Sequence, residues 1–483
     1  MNYGVVIKVL GNLLLFEAVA LLLPLIVSIL YGEKSAMAFL LVIAILIIVG
    51  KLMSRLKLDS KQIRSKEGLM IVTGGWVLAS FFGALPFVFS GSIPSFIDAF
   101  FETVSGLTTT GSTLLDNIEA LPRGILFWRS FTHWIGGMGI LVLTLAILPA
   151  MGVGGFQIFK AESPGPVSDK LAPKIRDTAS ILYTAYLGLT IMQIVILLFG
   201  KLPLYDAAVH TFGTVGTGGL SIYQNSIGAY KSSYVVMVIA IFMIASGVNF
   251  SLYYELYRGN WKAFFRDSEL KLYLFIIAIS VLLITANLFY KGIYQSLFET
   301  FKHALFQTAS IITTTGYVTV DYEKWTSFSQ GILFLLMFVG GCAGSTAGSM
   351  KVIRLLVLFK LVAREISKIL HPRAILPIRV NGKTVSPDII AGICSFFFLY
   401  IFFFVVGTLL VLLEGVDLLT ASSAVAATLG NVGPGFNMVG PTQTFSAFSG
   451  ASKLLFSFLM LLGRLEIYTI FILLMPRFWQ ERI

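Results

Sequence analysis

The sequence has little charge and few of the side chains on which most enzymes depend. Only 12% of its 483 residues are charged, whereas soluble proteins average about 25%. Its two cysteines, Cys342 and Cys394, lie in unrelated apolar contexts and indicate neither a disulfide framework nor a metal site. The four histidines are dispersed, and no pair has metal-ligand spacing. Because no nucleophile–base pair or phosphate-binding loop is recognisable either, we predict that the chain is not an enzyme and carries no organic cofactor.

Basic residues outnumber acidic ones, yet their distribution does not favour nucleic acid. The formal net charge is +11, and 24 of the 35 Lys and Arg residues fall in five short segments between or after apolar stretches. These segments are 51–67, 153–177, 254–271, 351–383 and the C-terminus with Arg477 and Arg482. The positive-inside rule predicts that they face the cytoplasm. A basic face with base-stacking aromatics is not visible, so we predict no nucleic-acid partner.

What the sequence does have is apolar length, since 57% of its residues are hydrophobic. About 20 apolar residues cross a bilayer as a helix. Ten stretches are long enough, and they lie near 5–31, 36–53, 69–90, 124–151, 178–200, 234–256, 271–290, 326–370, 387–413 and 446–475. The first has no small-residue cleavage site, so we interpret it as a retained helix and not a signal peptide. Membrane lipid is therefore the expected surrounding of this chain.

Four shorter stretches, rich in Ser, Thr and Gly, lie between the long ones. They occur near 97–110, 205–218, 300–315 and 418–432. Each is too short to span the bilayer, which favours re-entrant pore helices followed by loops. With both termini in the cytoplasm, every basic segment then also lies in the cytoplasm. The pattern predicts a multi-pass protein of a bacterial inner (plasma) membrane.

The four short stretches contain a repeat. Its copies are Thr-Thr-Thr-Gly at 108–111, Gly-Thr-Gly-Gly at 216–219, Thr-Thr-Thr-Gly at 313–316 and Gly-Asn-Val-Gly at 430–433. An alanine stands twelve residues before each final glycine, at Ala99, Ala207, Ala304 and Ala421. The residue before that alanine is always polar, and Asp98 and Asp206 are expected helix N-caps. A repeat of membrane-spanning units is typical of transport proteins.

These observations predict an all-α polytopic membrane protein with four pseudo-repeated helix–pore-loop–helix units around one pore. An N-terminal two-helix hairpin precedes the units. The expected boundaries are 1–67 for the hairpin with its basic loop, then 68–177, 178–269, 270–383 and 384–483 for the four pore units.

The loops that end in glycine have the chemistry of a cation site. Glycine adopts backbone angles closed to other residues and permits close backbone approach. Four such loops around one axis would direct carbonyl oxygens at a common point, where they replace the water of a monovalent cation. The alternative is that Gly and Thr only let spanning helices pack closely. Fixed offsets in four copies favour the pore, because close packing does not require them.

The stretch 326–370 is about twice as long as one crossing requires. Its middle, 340–349, contains four glycines in ten residues, and each interior glycine costs a helix about 1 kcal/mol relative to alanine. We therefore expect the helix to break near the middle of the membrane, just below the pore loops. A tight helix-packing face is the alternative interpretation.

Arg464 lies inside the last apolar stretch. A central arginine costs about 2.5–3.5 kcal/mol or more on insertion scales. We expect it to face the pore or the glycine-rich break, or to pair with Glu466. A purely structural ion pair is the alternative.

Several of these motifs resemble the Trk/Ktr/HKT superfamily of cation transporters, and within it the TrkH type of potassium-uptake subunit. They are the Thr-Thr-Thr-Gly loops, Gly-Asn-Val-Gly-Pro-Gly at 430–435, Gly-Ser-Thr-Ala-Gly at 344–348 and Gly-Arg-Leu-Glu-Ile at 463–467. The two additional N-terminal helices match the TrkH type better than the shorter Ktr type. The resemblance covers essentially the whole chain.

The resemblance implies K⁺ as the transported ion, bound in a selectivity filter. The filter residues would be Thr110, Gly111, Gly218, Gly219, Thr315, Gly316, Val432 and Gly433, with Thr109, Thr217, Thr314 and Asn431 beside them. It also implies a mobile gate formed by Gly344, Ser345, Thr346, Ala347 and Gly348, with Arg464 nearby. The family further implies a homodimer with one pore per subunit and a cytosolic ring of nucleotide-binding regulatory subunits of the TrkA type.

Two other functions compete with a potassium-uptake pore. One is a K⁺ symporter coupled to Na⁺ or H⁺, which would need an intramembrane carboxylate, and Glu466 is the deep candidate late in the chain. The other is a membrane enzyme such as a lipid-modifying transferase, for which no catalytic constellation is present. A potential of 100 mV alone supplies about 2.3 kcal/mol per charge, so uptake does not require coupling.

Overall fold

Helices form nearly all of the regular structure in the computed structural model, which describes residues 2–56, 63–139 and 175–480. The end of the predicted span 124–151, most of the basic segment 153–177, part of the basic segment 51–67 and Arg482 lie outside the described residues. The all-α membrane fold predicted from the sequence is confirmed.

The chain begins with a helical hairpin. It consists of α1 (Tyr3–Ala20), α2 (Leu22–Leu30) and α3 (Ser35–Ser54). Gly11 of α1 and Gly50 of α3 allow the two helices to approach closely, because a Cβ atom built on Gly11 would lie 2.9 Å from the Gly50 carbonyl oxygen. The hairpin packs on α4 (Ser65–Phe89) and thereby on the first unit.

The remaining helices follow a recurring order of long helix, short helix and second helix. After α4 come α5 (Phe96–Leu107) and α6 (Arg123–Gly137), and then α7 (Ile175–Phe199), α8 (Leu204–Val215), α9 (Ser233–Ser246), α10 (Phe250–Tyr257) and α11 (Trp261–Arg266). The third set is α12 (Ser268–Tyr290), α13 (Leu297–Ile312), α14 (Ser327–Leu336) and α15 (Val352–Leu370). The fourth is α16 (Pro387–Leu412), α17 (Leu418–Leu429), α18 (Gly450–Arg464), α19 (Tyr468–Leu474) and α20 (Pro476–Trp479).

A small β-hairpin joins the third and fourth sets. Strand β1 (Arg379–Val380) pairs antiparallel with β2 (Lys383–Thr384), with Val380 opposite Lys383. The two-residue turn Asn381–Gly382 has positive φ at both positions, 49° and 79°, as a type I′ turn requires.

Six helices in the described residues are long and apolar enough to cross a membrane. They are Tyr3–Leu30, Ser35–Ser54, Ser65–Phe89, Ala179–Phe199, Ser268–Tyr290 and Pro387–Leu412. Two further predicted spans, 234–256 and 446–475, are not continuous helices, and this corrects the sequence prediction. The pair α9 and α10 bends by 94°, and the pair α18 and α19 bends by 120°.

Local chemistry explains both bends. Asn249 begins a new helix at the first bend, where its side chain accepts a hydrogen bond from the Ser251 amide at 2.9 Å. At the second bend Glu466 and Ile467 have φ angles of 56° and 30°, which no helix can contain. Hydropathy reports apolar length and is insensitive to such breaks.

The four short helices α5, α8, α13 and α17 agree with the predicted pore-helix stretches. Their starts differ in detail from the expected N-caps. Ser95 caps α5 through a hydrogen bond from the Asp98 amide, and Pro203 precedes α8. Asp98 and Asp206 therefore lie in the first turn, where a carboxylate still favours the helix N-terminus.

Candidate functional site: four pore loops and a broken helix

Each of the four short helices ends in the same backbone conformation. The residues two positions before the final glycines have left-handed φ angles of 53–55°, and they are Thr109, Thr217, Thr314 and Asn431. The next residue in each loop donates its amide to the helix carbonyl five positions earlier, always at 2.8 Å. These pairs are Thr110 to Ser105, Gly218 to Gly213, Thr315 to Ser310 and Val432 to Ala427. The four segments thus have one shared backbone design.

The final glycines are required by their backbone angles. Their φ values are 84° at Gly111, 76° at Gly219, 81° at Gly316 and 105° at Gly433. Residues with a Cβ rarely adopt such angles. The second loop contains several glycines, and its backbone angles show which of them corresponds to the final glycine of the other loops. That residue is Gly219, and Gly218 is the counterpart of the residue before it.

The four loops close a circle, because each glycine lies against a carbonyl oxygen of the next loop. A Cβ atom on Gly111 would overlap the Gly218 oxygen, and one on Gly219 would overlap the Thr315 oxygen. A Cβ atom on Gly316 would overlap the Val432 oxygen. On Gly433 it would lie 2.8 Å from the oxygen of Thr110, back in the first loop. We call the carbonyl oxygens of Thr110, Gly218, Thr315 and Val432 the carbonyl ring.

A cavity lies beside the circle. All four final glycines line it, together with Ser112, Ser221, Arg129 and Gln224 among others. The threonines at 108–110 and 313–315 are fully buried behind this cavity. The cavity therefore ends at four close-packed backbone segments.

Side chains support the first and third loops identically. The hydroxyls of Thr108 and Thr110 are 2.7 Å apart, as are those of Thr313 and Thr315. The Ser105 hydroxyl donates to the Ser112 carbonyl oxygen at 2.6 Å, and the third loop repeats this bond at the same distance. There Ser310 donates to Tyr317.

The second and fourth loops have small residues where the first and third have hydroxyls. Gly216 and Gly430 stand in the places of Thr108 and Thr313. A Cβ atom on Gly216 would lie 2.5 Å from the His133 carbonyl oxygen of α6. On Gly430 it would lie 2.9 Å from the Met337 carbonyl oxygen, just after α14. These two loops therefore pack directly against the backbone of a neighbouring unit.

A buried ion pair behind the first two loops was not predicted from the sequence. The Arg129 Nε atom lies 2.6 Å from Glu102 Oε1, and the two side chains are 1% and 0% exposed. Arg129 also donates to the Ser221 carbonyl oxygen at 2.8 Å, while Glu102 accepts from the Leu114 amide at 3.1 Å. The pair thus connects the segments that follow the first and second loops. The partners are 27 residues apart, which no sequence spacing reveals.

The position of Glu102 in its short helix has counterparts in two other units. Three residues after the repeat alanine stand Glu102, His210, Gln307 and Ala424. The ring of His210 is 3.1 Å from the Ser221 hydroxyl, and Gln307 donates to the Thr319 hydroxyl at 3.3 Å. A polar residue at this offset in three of the four repeats is visible in the sequence. It is the signal from which the contacts to the segment after each loop could have been predicted.

The predicted break in 326–370 is present between α14 and α15. Its flanks are held together by the Gly340 amide, which donates to the Met350 carbonyl oxygen at 2.8 Å, and by the Val352 amide, which donates to Gly341 at 3.1 Å. We call 344–348 the gate segment. Its Gly348 amide donates to the Thr314 hydroxyl at 2.6 Å. The gate segment therefore lies directly against the third pore loop.

The other side of the gate segment contacts the second unit and Arg464. The Phe250 amide donates to the Gly344 carbonyl oxygen at 3.0 Å, and the Ser345 hydroxyl donates to Cys342 at 2.6 Å. The Ala347 carbonyl oxygen accepts from the ammonium group of Lys351. All five predicted gate residues thus belong to one non-helical turn.

Arg464 faces the gate segment, as one of the predicted alternatives states. It donates to the Thr346 carbonyl oxygen at 2.8 Å and to those of Gly136 and Gly137 at 2.6 Å. The other predicted alternative, a pair with Glu466, is wrong, because Glu466 forms an ion pair with Arg354. The backbone leaves the helical conformation at Glu466, where φ is 56°.

No group of three or more His, Cys, Asp or Glu side chains suited to a resident metal occurs in the described parts of the chain. The polar atoms that the four loops bring together are backbone carbonyls and hydroxyls. Such oxygens suit a hard monovalent cation and not a transition metal.

A multi-pass helical fold in which four loops meet around one axis, with carbonyl and hydroxyl oxygens brought together there, defines the class of this protein, a membrane transport protein. Comparison with known proteins gives the family. A model of cation transport proteins of the TrkH family matches residues 35–481, and the chain belongs to this family. It is 37% identical over 485 residues to the Trk system potassium uptake protein TrkH of Salmonella typhimurium, covering 100% of both chains.

Two further similarities concern Vibrio parahaemolyticus. The chain is 38% identical over 487 residues to the Trk system potassium uptake protein TrkH of that organism, again over 100% of both chains. The crystal structure of the potassium transporter TrkH from Vibrio parahaemolyticus superimposes with a TM-score of 0.89 at 36% identity, covering 99% of this chain and 100% of the other.

Proposed function

We propose that this chain takes up K⁺ across the bacterial inner membrane through the four pore loops. The observation that carries the proposal is the closed circle of glycines, each lying against a carbonyl oxygen of the next loop. The names of the similar proteins, which are potassium uptake proteins, support the choice of ion.

In this proposal the carbonyl ring replaces part of the hydration shell of K⁺. The flanking hydroxyls of Thr110 and Thr315 are buried and add further oxygens near the axis. The C-termini of α5, α8, α13 and α17 contribute partial negative charge toward the loops. The transported ion is the only ligand that the site requires, and no organic cofactor takes part.

The gate segment would close the path below the carbonyl ring. Gly348 lies against both the third and the fourth loops, since a Cβ atom there would be 2.6 Å from the Gly430 carbonyl oxygen. Arg464 anchors Thr346 to α6 and adds positive charge that repels cations. Opening then requires displacement of this segment, a two-state change in a short element.

We further propose the units 68–177, 178–269, 270–383 and 384–483 as the four pore repeats and 1–67 as an accessory hairpin. Both termini would be cytoplasmic. The chain would act as a homodimer with one pore per subunit, regulated by a cytosolic nucleotide-binding ring of the TrkA type. The ring would contact the basic segments 254–271 and 351–383.

A K⁺ symporter coupled to Na⁺ or H⁺ is less well supported. Glu466, the carboxylate considered for coupling, is engaged by Arg354, which also stacks 3.7 Å from the centre of the Phe396 ring. A carboxylate held in this way is a poor carrier of a second ion.

Flux in proteoliposomes under a clamped potential tests the proposal. We expect K⁺ entry driven by potential alone, with the same initial rate whether or not a Na⁺ or H⁺ gradient is present. Flux that appears only with one of these gradients would establish the symporter instead.

The gate has its own test in the chain without any regulatory partner. Deletion of residues 344–348 should raise K⁺ flux, and Arg464→Ala should raise it less because the segment still obstructs the path. Normal assembly of both variants with unchanged or reduced flux would rule out this gate.

A further inference from the structure

Glu269 lies at a point where the gate, the membrane helix α12 and the cytoplasmic surface meet. It is the second residue of α12 and is only 5% exposed. One of its oxygens, Oε1, accepts the Ala343 amide at 2.6 Å and the Ile353 amide at 2.9 Å. A single carboxylate oxygen therefore holds both ends of the non-helical turn that contains the gate segment.

The amides of Ala343 and Ile353 depend on Glu269 as their hydrogen-bond acceptor. Ile353 is in the first turn of α15, where backbone amides have no partner within the helix. A carboxylate at a helix N-terminus is also favoured by the helix dipole. The Glu269 contacts are thus specific for this arrangement of the turn.

The residues just before Glu269 connect it to the β-hairpin on the cytoplasmic side. Asn381, in the turn of the hairpin, donates to Asp267 Oδ2 at 2.6 Å and accepts the Ser268 amide at 2.8 Å. Asp267 in turn caps α12 by accepting the Leu270 amide at 2.7 Å. One turn residue of the hairpin therefore fixes the start of the helix that carries Glu269.

The hairpin is also attached to α15, the helix that follows the gate. Lys360 of α15 donates to the Arg379 carbonyl oxygen at 2.6 Å. Ile378, just before β1, is 4% exposed and clusters with Val357 of α15. A displacement of α15 relative to α12 must therefore act on Asn381 and on the Ile353–Glu269 bond at the same time.

From these contacts we propose that Glu269 is a clasp that holds the gate segment in its obstructing position, and that the Asn381 hairpin is the lever through which movement at the cytoplasmic face releases it. This inference rests on the proposed function of the gate segment. Glu269 is a positioning residue, since it touches neither the pore loops nor the path of the ion. Release would break the bond to Ile353 first, because α15 moves with the hairpin.

Flux of Rb⁺ in proteoliposomes containing the chain without a partner tests the clasp. We expect Glu269→Ala to raise the flux per assembled protein by about tenfold or more, the order expected when two buried hydrogen bonds are lost. Glu269→Gln keeps one acceptor oxygen without the charge and should raise it about threefold. The Rb⁺/Na⁺ permeability ratio should stay unchanged in both, because the pore loops are intact.

The lever is tested with Asn381→Gly, which keeps the positive φ of the turn and removes only the amide side chain. We expect flux without partner to rise about two- to threefold, the scale of one hydrogen bond. The matched control is Asn437→Gly, because Asn437 is likewise exposed, has a φ angle of 54° and donates its amide to Asp417 at 3.0 Å, and this change should leave flux unchanged. The double variant Glu269→Ala/Asn381→Gly should equal Glu269→Ala alone, since the lever acts through the clasp.

These outcomes separate the clasp from a merely structural role and from failure of the gate. A structural role predicts a lower unfolding temperature for Glu269→Ala with unchanged flux per assembled protein, and that result overturns the clasp. If Glu269→Ala/Asn381→Gly raises flux by the product of the two single effects, the hairpin does not act through Glu269 and the lever is wrong. If deletion of residues 344–348 raises flux while Glu269→Ala does not, the gate stands and the clasp is wrong. If the deletion itself has no effect, the proposed gate fails.

Discussion

The first and third pore loops each contain a pair of threonine hydroxyls in hydrogen-bond contact, whereas the second and fourth each contain a glycine that packs on the backbone of a neighbouring unit. The first and third share the threonine hydroxyl pairs and the serine-to-carbonyl bonds at equal distances. The second and fourth have Gly216 and Gly430 at the end of the pore helix and pack on the backbone of α6 and of the turn after α14. The four loops share a backbone but form two pairs.

This difference shows how a circle of four can arise from one chain without four identical sequences. Self-supported loops alternate around the circle with loops that depend on the adjacent unit. Asn431 of the fourth loop illustrates the dependence, because its amide donates to the Thr110 hydroxyl and to the Met460 carbonyl oxygen, both at 2.9 Å. If the circle is the filter, its two pairs are not equivalent, and we expect weaker ion discrimination than fourfold-symmetric channels achieve.

The largest expected effect comes from a side chain at a final glycine. Gly111→Ser and Gly316→Ser should each lower the K⁺/Na⁺ permeability ratio by about tenfold or more while the protein still inserts, because a Cβ atom overlaps the carbonyl of the next loop. Gly433→Ser should lower it less, since its nearest atom is 2.8 Å away. Reversal potentials in bilayers measure the ratios. Unchanged ratios for both Gly111→Ser and Gly316→Ser would contradict the assignment.

The buried ion pair between the first two loops should dominate stability. Glu102→Ala leaves Arg129 buried without its charge partner and should lower the free energy of unfolding by about 3–5 kcal/mol. The matched change in the third unit, Gln307→Ala, removes one neutral hydrogen bond and should cost about 1 kcal/mol. Denaturant unfolding in detergent gives both values. Equal losses in the two variants would mean that the ion pair has no special role.

The serine bonds test the equivalence of the self-supported loops. Ser105→Ala and Ser310→Ala each remove one buried hydrogen bond and should each lower the free energy of unfolding by about 1 kcal/mol. Thr308→Ala is the control, since its buried hydroxyl has no hydrogen-bond partner in the described residues, and it should cost less. A large difference in the free energy of unfolding between Ser105→Ala and Ser310→Ala would show that the first and third loops are not equivalent.

The smallest expected effect concerns two similar ions. Because half of the circle depends on support from neighbouring units, it should tolerate a slightly larger cation. Rb⁺ should therefore pass nearly as well as K⁺, with a permeability ratio near one in bi-ionic recordings. Strong discrimination against Rb⁺ would indicate that the circle of four loops is too rigid to accept the larger ion.

The sequence predicted those parts of the molecule that depend on local backbone chemistry. A glycine with φ above 75° in each loop is a local requirement, so the repeat was visible as spacing alone. The break between α14 and α15 was predicted for the same reason, since glycines destabilise a helix wherever it packs. Apolar length predicted the continuous spans for an equally local reason.

Features that depend on distant residues were not predictable from one sequence. Arg354 and Glu466 are 112 residues apart, and Ala343 and Glu269 are 74 apart. The bends after Ser246 and Arg464 lie inside apolar stretches, where hydropathy cannot distinguish a straight helix from a broken one. Which carboxylate holds which turn is decided by tertiary packing.

The central claim is that the carbonyl ring holds the transported cation, and anomalous scattering tests it most directly. Crystals of the protein grown in Rb⁺ should show an anomalous peak on the axis between the carbonyl oxygens of Thr110, Gly218, Thr315 and Val432. The peak should weaken or disappear in Gly316→Ser crystals under the same conditions. A strong peak elsewhere in the membrane region with none in the ring, or an undiminished ring peak in Gly316→Ser, would contradict the account.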